Sequence, residues 1–180
     1  MEKSIKSSAI NYGLYLGGAL SLITIAIWFI DLNLMANMWL GIFLLLAIIA
    51  FGVVSTAKSK SLNGGFLSFK EAFSSYFITV AIGIAISSIV SMILFSYIDP
   101  EAAKQIQQLT IESTINMMEG FGAPAEAAQE AAEQQREDTE AQFTLAGQAK
   151  GFGIQIIVNA VIALITGLIV RRREKLSDVV

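Results

Sequence analysis

Four stretches of this chain, at about 11–30, 38–57, 73–98 and 151–170, contain no Lys, Arg, Asp or Glu. A run of ~20 residues wound as an α-helix crosses a hydrocarbon layer of ~30 Å. A helix buried in a soluble core does not need so long an uncharged run. The pattern predicts an all-α integral membrane protein with four transmembrane helices. The rest of the chain must supply connections, tails and one extramembrane element.

Composition limits the chemistry. Of 180 residues, 15 % are charged, against ~25 % in soluble domains. There is no Cys and no His. That excludes disulfides, iron–sulfur clusters, thiolate and imidazole metal sites, and triads built on histidine. The net charge of −3 averages two opposite regions. The N-terminal run follows Lys3 and Lys6 but exceeds a signal-peptide core of ~7–15 residues, and no A-x-A-like site follows it. An uncleaved first span is expected.

The basic residues predict the orientation. Lys3 and Lys6, then Lys58, Lys60 and Lys70, then Arg171, Arg172, Arg173 and Lys175 make nine of the twelve cations, and four spans bring all three groups to one side. The first connection (31–37) has no cation. The last (99–150) has three cations against ten acids, a net of −7. Both termini are therefore expected in the cytoplasm and both connections outside. Trp28 and Trp39 bracket the first connection, where an interfacial belt would put them.

Local signals place the turns. Asn63-Gly64-Gly65 accepts positive φ, and Ser68 with Glu71 fits a capping box that starts the third helix. Asp99-Pro100-Glu101 is a cap, a first-turn proline and a favourable dipole charge. From there a helix is expected to about 119, with Ile111, Ile115 and Met118 on one stripe. Gly120–Pro124 is a turn, and a second, Ala-, Glu- and Gln-rich helix is expected over about 125–146. The two would form an acidic helical hairpin off the membrane. The domain reading is therefore 1–98 (tail and first three spans), 99–150 (outer hairpin) and 151–180 (fourth span and basic tail).

The run Gly64-Gly65-Phe66-Leu67-Ser68-Phe69-Lys70-Glu71-Ala72-Phe73, then one span and Tyr97-Ile98-Asp99-Pro100, resembles the bacterial membrane family known as domain of unknown function 4199. The resemblance implies four hydrophobic segments with a polar helical insert before the last. It also implies a Bacteroidota-type inner membrane with a periplasmic insert. It brings no catalytic residues.

The candidate site residues are few. Gly13 and Gly17 form a small-x-x-x-small pair for helix packing or self-association. Asn159, with Gln155 one turn before it, is the deepest strongly polar residue, and Ser87, Ser88 and Ser91 add hydroxyls to the third span. Asn159 is expected to fix helix register by hydrogen bonding to the third span; lining a polar pathway is the other reading. Lys58, Lys60 and Lys70 are candidates for lipid-headgroup contact. Glu126, Glu130, Glu133 and Glu137 share a helix face, which is read as solvated rather than metal-binding. No metal, cofactor or nucleic-acid partner is expected. The expected function is non-enzymatic: a structural or accessory membrane protein working through its helices or its acidic outer hairpin. The alternative is a small oligomeric transporter or channel subunit. The expected partners are the lipid bilayer, a second copy and a protein at the hairpin.

Overall fold

The computed structural model describes residues 3–142 and 145–170, with backbone alone for 137–142, 145 and 148. The arginine run Arg171-Arg172-Arg173, Lys175 and Phe143 lie outside the described residues, as do the side chains of Glu137, Asp138 and Glu140. The helices are α1 (Lys3–Ile30), α2 (Met38–Leu62), α3 (Phe69–Met92), α4 (Pro100–Gly120), α5 (Ala125–Gln142) and α6 (Leu145–Val170). Four segments are long and apolar enough to cross a membrane: Lys3–Ile30, Met38–Leu62, Phe69–Ile98 and Ala149–Val170. The helices overrun the charge-free runs at several ends, because a backbone helix need not stop where lipid does. Gly147, Gly151 and Gly153 lie inside α6, which continues through them.

Each break has a local cause. The Asp31 carboxylate accepts from the Asn33 amide at 2.9 Å and starts a 3-10 turn, Leu32–Ala36. The Asn37 side chain then accepts from the Trp39 amide at 2.9 Å and opens α2. Gly64 and Gly65 sit at φ 65° and 86°, and the Gly65 amide donates to the Lys60 carbonyl at 2.9 Å, ending α2. The capping box forms: the Glu71 amide donates to Ser68 Oγ at 3.3 Å, and the Ser68 amide donates to Glu71 Oε2 at 3.1 Å. Gly122, at φ 83°, turns the chain between α4 and α5.

The last turns of α3 widen into a π-helix, Ile93–Ile98, closed by the Asp99 amide donating to the Leu94 carbonyl at 2.8 Å. Such widened turns are rare and often sit beside functional positions. Here the π-helix delivers Asp99 to the start of α4.

The chain forms two compact units. The described residues of 1–19, 45–86 and 154–180 make the first, and those of 20–44 and 87–153 the second. In the first, Ile5, Leu16, Leu67, Ala72, Tyr76, Val80, Ile84 and Ala163 are buried. In the second, Leu94, Phe95, Ala102, Ala103 and Ile106 are buried, with Ile25, Trp28, Leu32 and Met35 packed on them. Large apolar side chains point outward along the long helices: Phe43 is 61 % exposed, Ile157 67 % and Ile169 77 %. Water would not tolerate so much apolar surface; lipid tails solvate it without cost.

Candidate functional site: a hydroxyl core and a tethered helix pair

In the first unit, small residues recur every three or four positions, so each helix presents one narrow face. On α2 these are Gly52, Ser55, Thr56 and Ser59; on α3, Ala72, Ser75, Thr79 and Gly83; on α1, Ala9, Gly13 and Gly17. All are buried. A Cβ on Gly13 would fall 2.8 Å from Ile82 Cβ and 3.0 Å from the Thr79 carbonyl oxygen, and one on Gly17 would fall 2.8 Å from Ile86 Cβ. From the other side, a Cβ on Gly83 would meet Leu16 Cδ2 at 2.6 Å. The α1 glycines are therefore consumed by α3 of the same chain. Any face for a second copy has to be a different one.

The close approach lets hydroxyls replace water. Ser59 Oγ and Ser75 Oγ are 2.5 Å apart. Thr79 Oγ1 has one proton to share among Ser55 Oγ at 2.7 Å, the Ser75 carbonyl at 2.9 Å and the Ala9 carbonyl at 3.0 Å. Thr56 Oγ1 donates to the Gly52 carbonyl at 2.9 Å. Three helices are thus tied by side chains that are all 0 % exposed. Interhelical hydrogen bonds of this kind contribute ~0.6 kcal/mol on average in lipid and up to ~1.7. Tyr76 lies against Gly52, and its hydroxyl is fully buried with no hydrogen-bond partner. The sequence marks this cluster only weakly. The four-residue spacings Ser55/Ser59 and Ser75/Thr79 were the available signal.

The sequence-derived candidates are distributed differently. Asn159 is 4 % exposed, but its Nδ2 donates to the Gln155 carbonyl of its own helix at 2.9 Å, and its Oδ1 is buried without a partner. Gln155 itself is exposed. Ser87, Ser88 and Ser91 are half-buried and belong to the second unit, whereas Asn159 and Gln155 belong to the first. Lys58 and Lys70 are exposed. Lys60 is half-buried and donates to the Val170 carbonyl at 3.0 Å, so it caps the end of α6.

The second unit is organised by Asp99. Its Oδ2 accepts from the indole Nε1 of Trp28 at 2.9 Å, and its Oδ1 accepts from the Ala102 amide at 3.0 Å. One carboxylate therefore caps α4 and holds α1. The indole hydrogen bond, then the Ala102 amide, keep the Asp99 carboxyl below its usual 3.8. Further along α4, Ser113 Oγ donates to the Ala36 carbonyl at 3.2 Å. Helices α4 and α5 pack on each other, with Ala128 and Ala132 buried and Gln107 Nε2 donating to the Arg136 carbonyl at 3.3 Å. Alanines at the seam allow the close packing. The carboxylates of Glu126, Glu130 and Glu133 stay exposed.

Apolar helices of bilayer length, with short hydroxyls rather than charges facing the packed interior, define a multi-pass, all-α membrane protein. The family model described as "Protein of unknown function (DUF4199)" matches residues 11–172, and the chain belongs to that family. No curated protein and no solved structure matches it.

Proposed function

We propose that this chain is a non-enzymatic accessory protein of a bacterial inner membrane. In this reading both termini are cytoplasmic, and α4 and α5 are held outside the bilayer as a contact surface for another protein. The observation that carries it is the double use of Asp99, which fixes the start of α4 to Trp28 of α1. A contact surface works better when its geometry is set beforehand, because less ordering entropy is lost on binding. The interior polarity supports the same role: hydroxyls that hydrogen-bond to one another between α2 and α3 hold helices together. The test is a photoreactive residue at Glu130 in native membranes, followed by identification of the cross-linked species. A distinct heterologous adduct is expected; recovery of self-linked protein alone would count against an accessory role. Orientation is tested separately. A cysteine at Glu130 should react with an impermeant maleimide from outside, and one at the exposed Lys58 should not.

A second reading, a small oligomeric transporter or channel subunit, is favoured by three buried polar atoms without partners among the described residues, Asn159 Oδ1, the Tyr76 hydroxyl and Ser21 Oγ. Such atoms are costly in an apolar interior and often mark a place where water or a solute is taken up. Liposome flux with the native chain and with Asn159→Leu tests it. Flux that survives the substitution unchanged removes Asn159 from any pathway.

A further inference from the structure

Three phenylalanines form a ladder along α3 in the first unit. The Phe69 and Phe73 rings lie 6.3 Å apart at 28°, and the Phe73 and Phe77 rings 5.6 Å apart at 10°. Eight positions of helix make this ~12 Å of ring surface. All three rings are half-buried. The inner end of the ladder lies against α6, where a Cβ on Gly167 would fall 3.1 Å from Phe69 Cε2. Two cations stand at that end. Lys70 is exposed and shares a helix face with Phe73 and Phe77 by i, i+3, i+7 spacing. Long side chains on a helix lean toward its N-terminus, so Lys70 leans away from the rings and toward the headgroups. Lys60 reaches the end of α6 at the Val170 carbonyl, and Val170 packs on Leu67 and Ala72 at the start of α3. That bond uses one of the three ammonium protons. Between Leu32 and Ile98 the one acid is Glu71, and its carboxylate is held by the Ser68 hydroxyl at 2.7 Å and the Ser68 amide at 3.1 Å. Two ammonium groups above a strip of aromatic surface match a phosphate above an acyl chain. The rings select a lipid over a free phosphate. The lysines disfavour a zwitterionic headgroup, which brings its own cation.

We propose that this flank of α3 holds one anionic phospholipid, its phosphate between Lys70 and Lys60 and an acyl chain along Phe73 and Phe77. The site is independent of the accessory reading above, since it lies in the first unit and needs no protein partner.

The test uses the full chain in phosphatidylcholine vesicles. Phe77→Trp in a Trp28→Phe/Trp39→Phe background places one fluorophore on the ladder. Phosphatidylglycerol or phosphatidylcholine with a brominated acyl chain is then added, and bromine quenches the indole on contact. Brominated phosphatidylglycerol should act with about fivefold higher apparent affinity than brominated phosphatidylcholine. Lys70→Gln should remove most of that preference, and Lys70→Arg should keep it. Lys104→Gln, in the second unit, should leave it unchanged. Val54→Trp in the same background reports an exposed position of α2 in the first unit, and should show less than about twofold preference. Equal quenching by the two lipids at Phe77→Trp, or the same preference at Val54→Trp, would overturn the site. Loss of the preference in Lys70→Arg as complete as in Lys70→Gln would overturn the role of charge. Displacement of the brominated phosphatidylglycerol by inorganic phosphate, at ionic strength matched with chloride, would make this a site for free phosphate and overturn the lipid.

Discussion

Gly52→Ala isolates the contact that sets the approach of α2 to α3. The added Cβ would lie 2.4 Å from Tyr76 Cε2, 2.6 Å from Cδ2 and 2.8 Å from Cζ. Carbon pairs settle at ~3.5–4.0 Å, so the overlap is about 1 Å against a rigid ring. Tyr76 is 0 % exposed, so its ring cannot swing out to the surface, and the two helices have to give. Overpacking of this size costs ~1–3 kcal/mol, and the better helix propensity of alanine offsets up to ~1 kcal/mol. A net loss of about 1–2 kcal/mol is expected. Gly18 is the control, because a Cβ there meets nothing within 4 Å. Gly18→Ala should be neutral or more stable by up to ~1 kcal/mol. The assay is reversible unfolding in mixed micelles titrated with SDS. A double-mutant cycle with Tyr76→Leu completes it: the cost of Gly52→Ala should shrink by at least ~1 kcal/mol when the ring is gone. Equal stability of the two alanine variants, or a cost unchanged by Tyr76→Leu, would refute the argument.

Thr79→Val keeps the shape of the side chain but removes its bonds to Ser55 and the Ala9 carbonyl, and should cost about 1 kcal/mol in the same titration. Lys60→Met removes the cap on the Val170 carbonyl; hydrogen exchange in the last turn of α6 should speed up several-fold, as loss of ~0.3–1 kcal/mol implies, while Lys58→Met leaves it unchanged. The Asp99 carboxyl is held below its usual 3.8, so its stabilisation is fully present above that pH and is lost as pH falls through the lower, folded-state value. In a Trp39→Phe background, Trp28 emission should therefore hold steady from neutral pH to about 4 and shift below it. Asp99→Asn should abolish that shift. A transition near pH 6 would contradict the assignment.

Much of the fold was legible because its signals are local. Ser68 with Glu71, Asp99 with Pro100, and Gly64-Gly65 act over a few residues, and each stands where the sequence put it. Gly151 and Gly153 leave α6 unbroken, since glycines are common in membrane helices without ending them. The choice of site residues was the weak point. Asn159 was expected to bond to the third span, yet its Nδ2 serves its own helix. Lys60 is by sequence a candidate for lipid-headgroup contact, and in the structure its ammonium donates to a carbonyl 110 residues away.

Length, lack of charge and cap chemistry are properties of a segment alone. They determined that four helices would be long enough for a bilayer and where their turns would fall, while composition leaves no thiol and no imidazole side chain. Which face of each helix turns inward was decided only by the tertiary structure. In water, polarity separates the inward face from the outward one; in lipid both faces are apolar, so periodicity carries little information. Phe43 and Val80 are equally apolar in the sequence, yet one is 61 % exposed and the other 1 %. The pairing of Tyr76 with Gly52, of Thr79 with Ala9, and of Trp28 with Asp99 follows from shape and hydrogen bonding between helices far apart in the chain, which no single segment encodes.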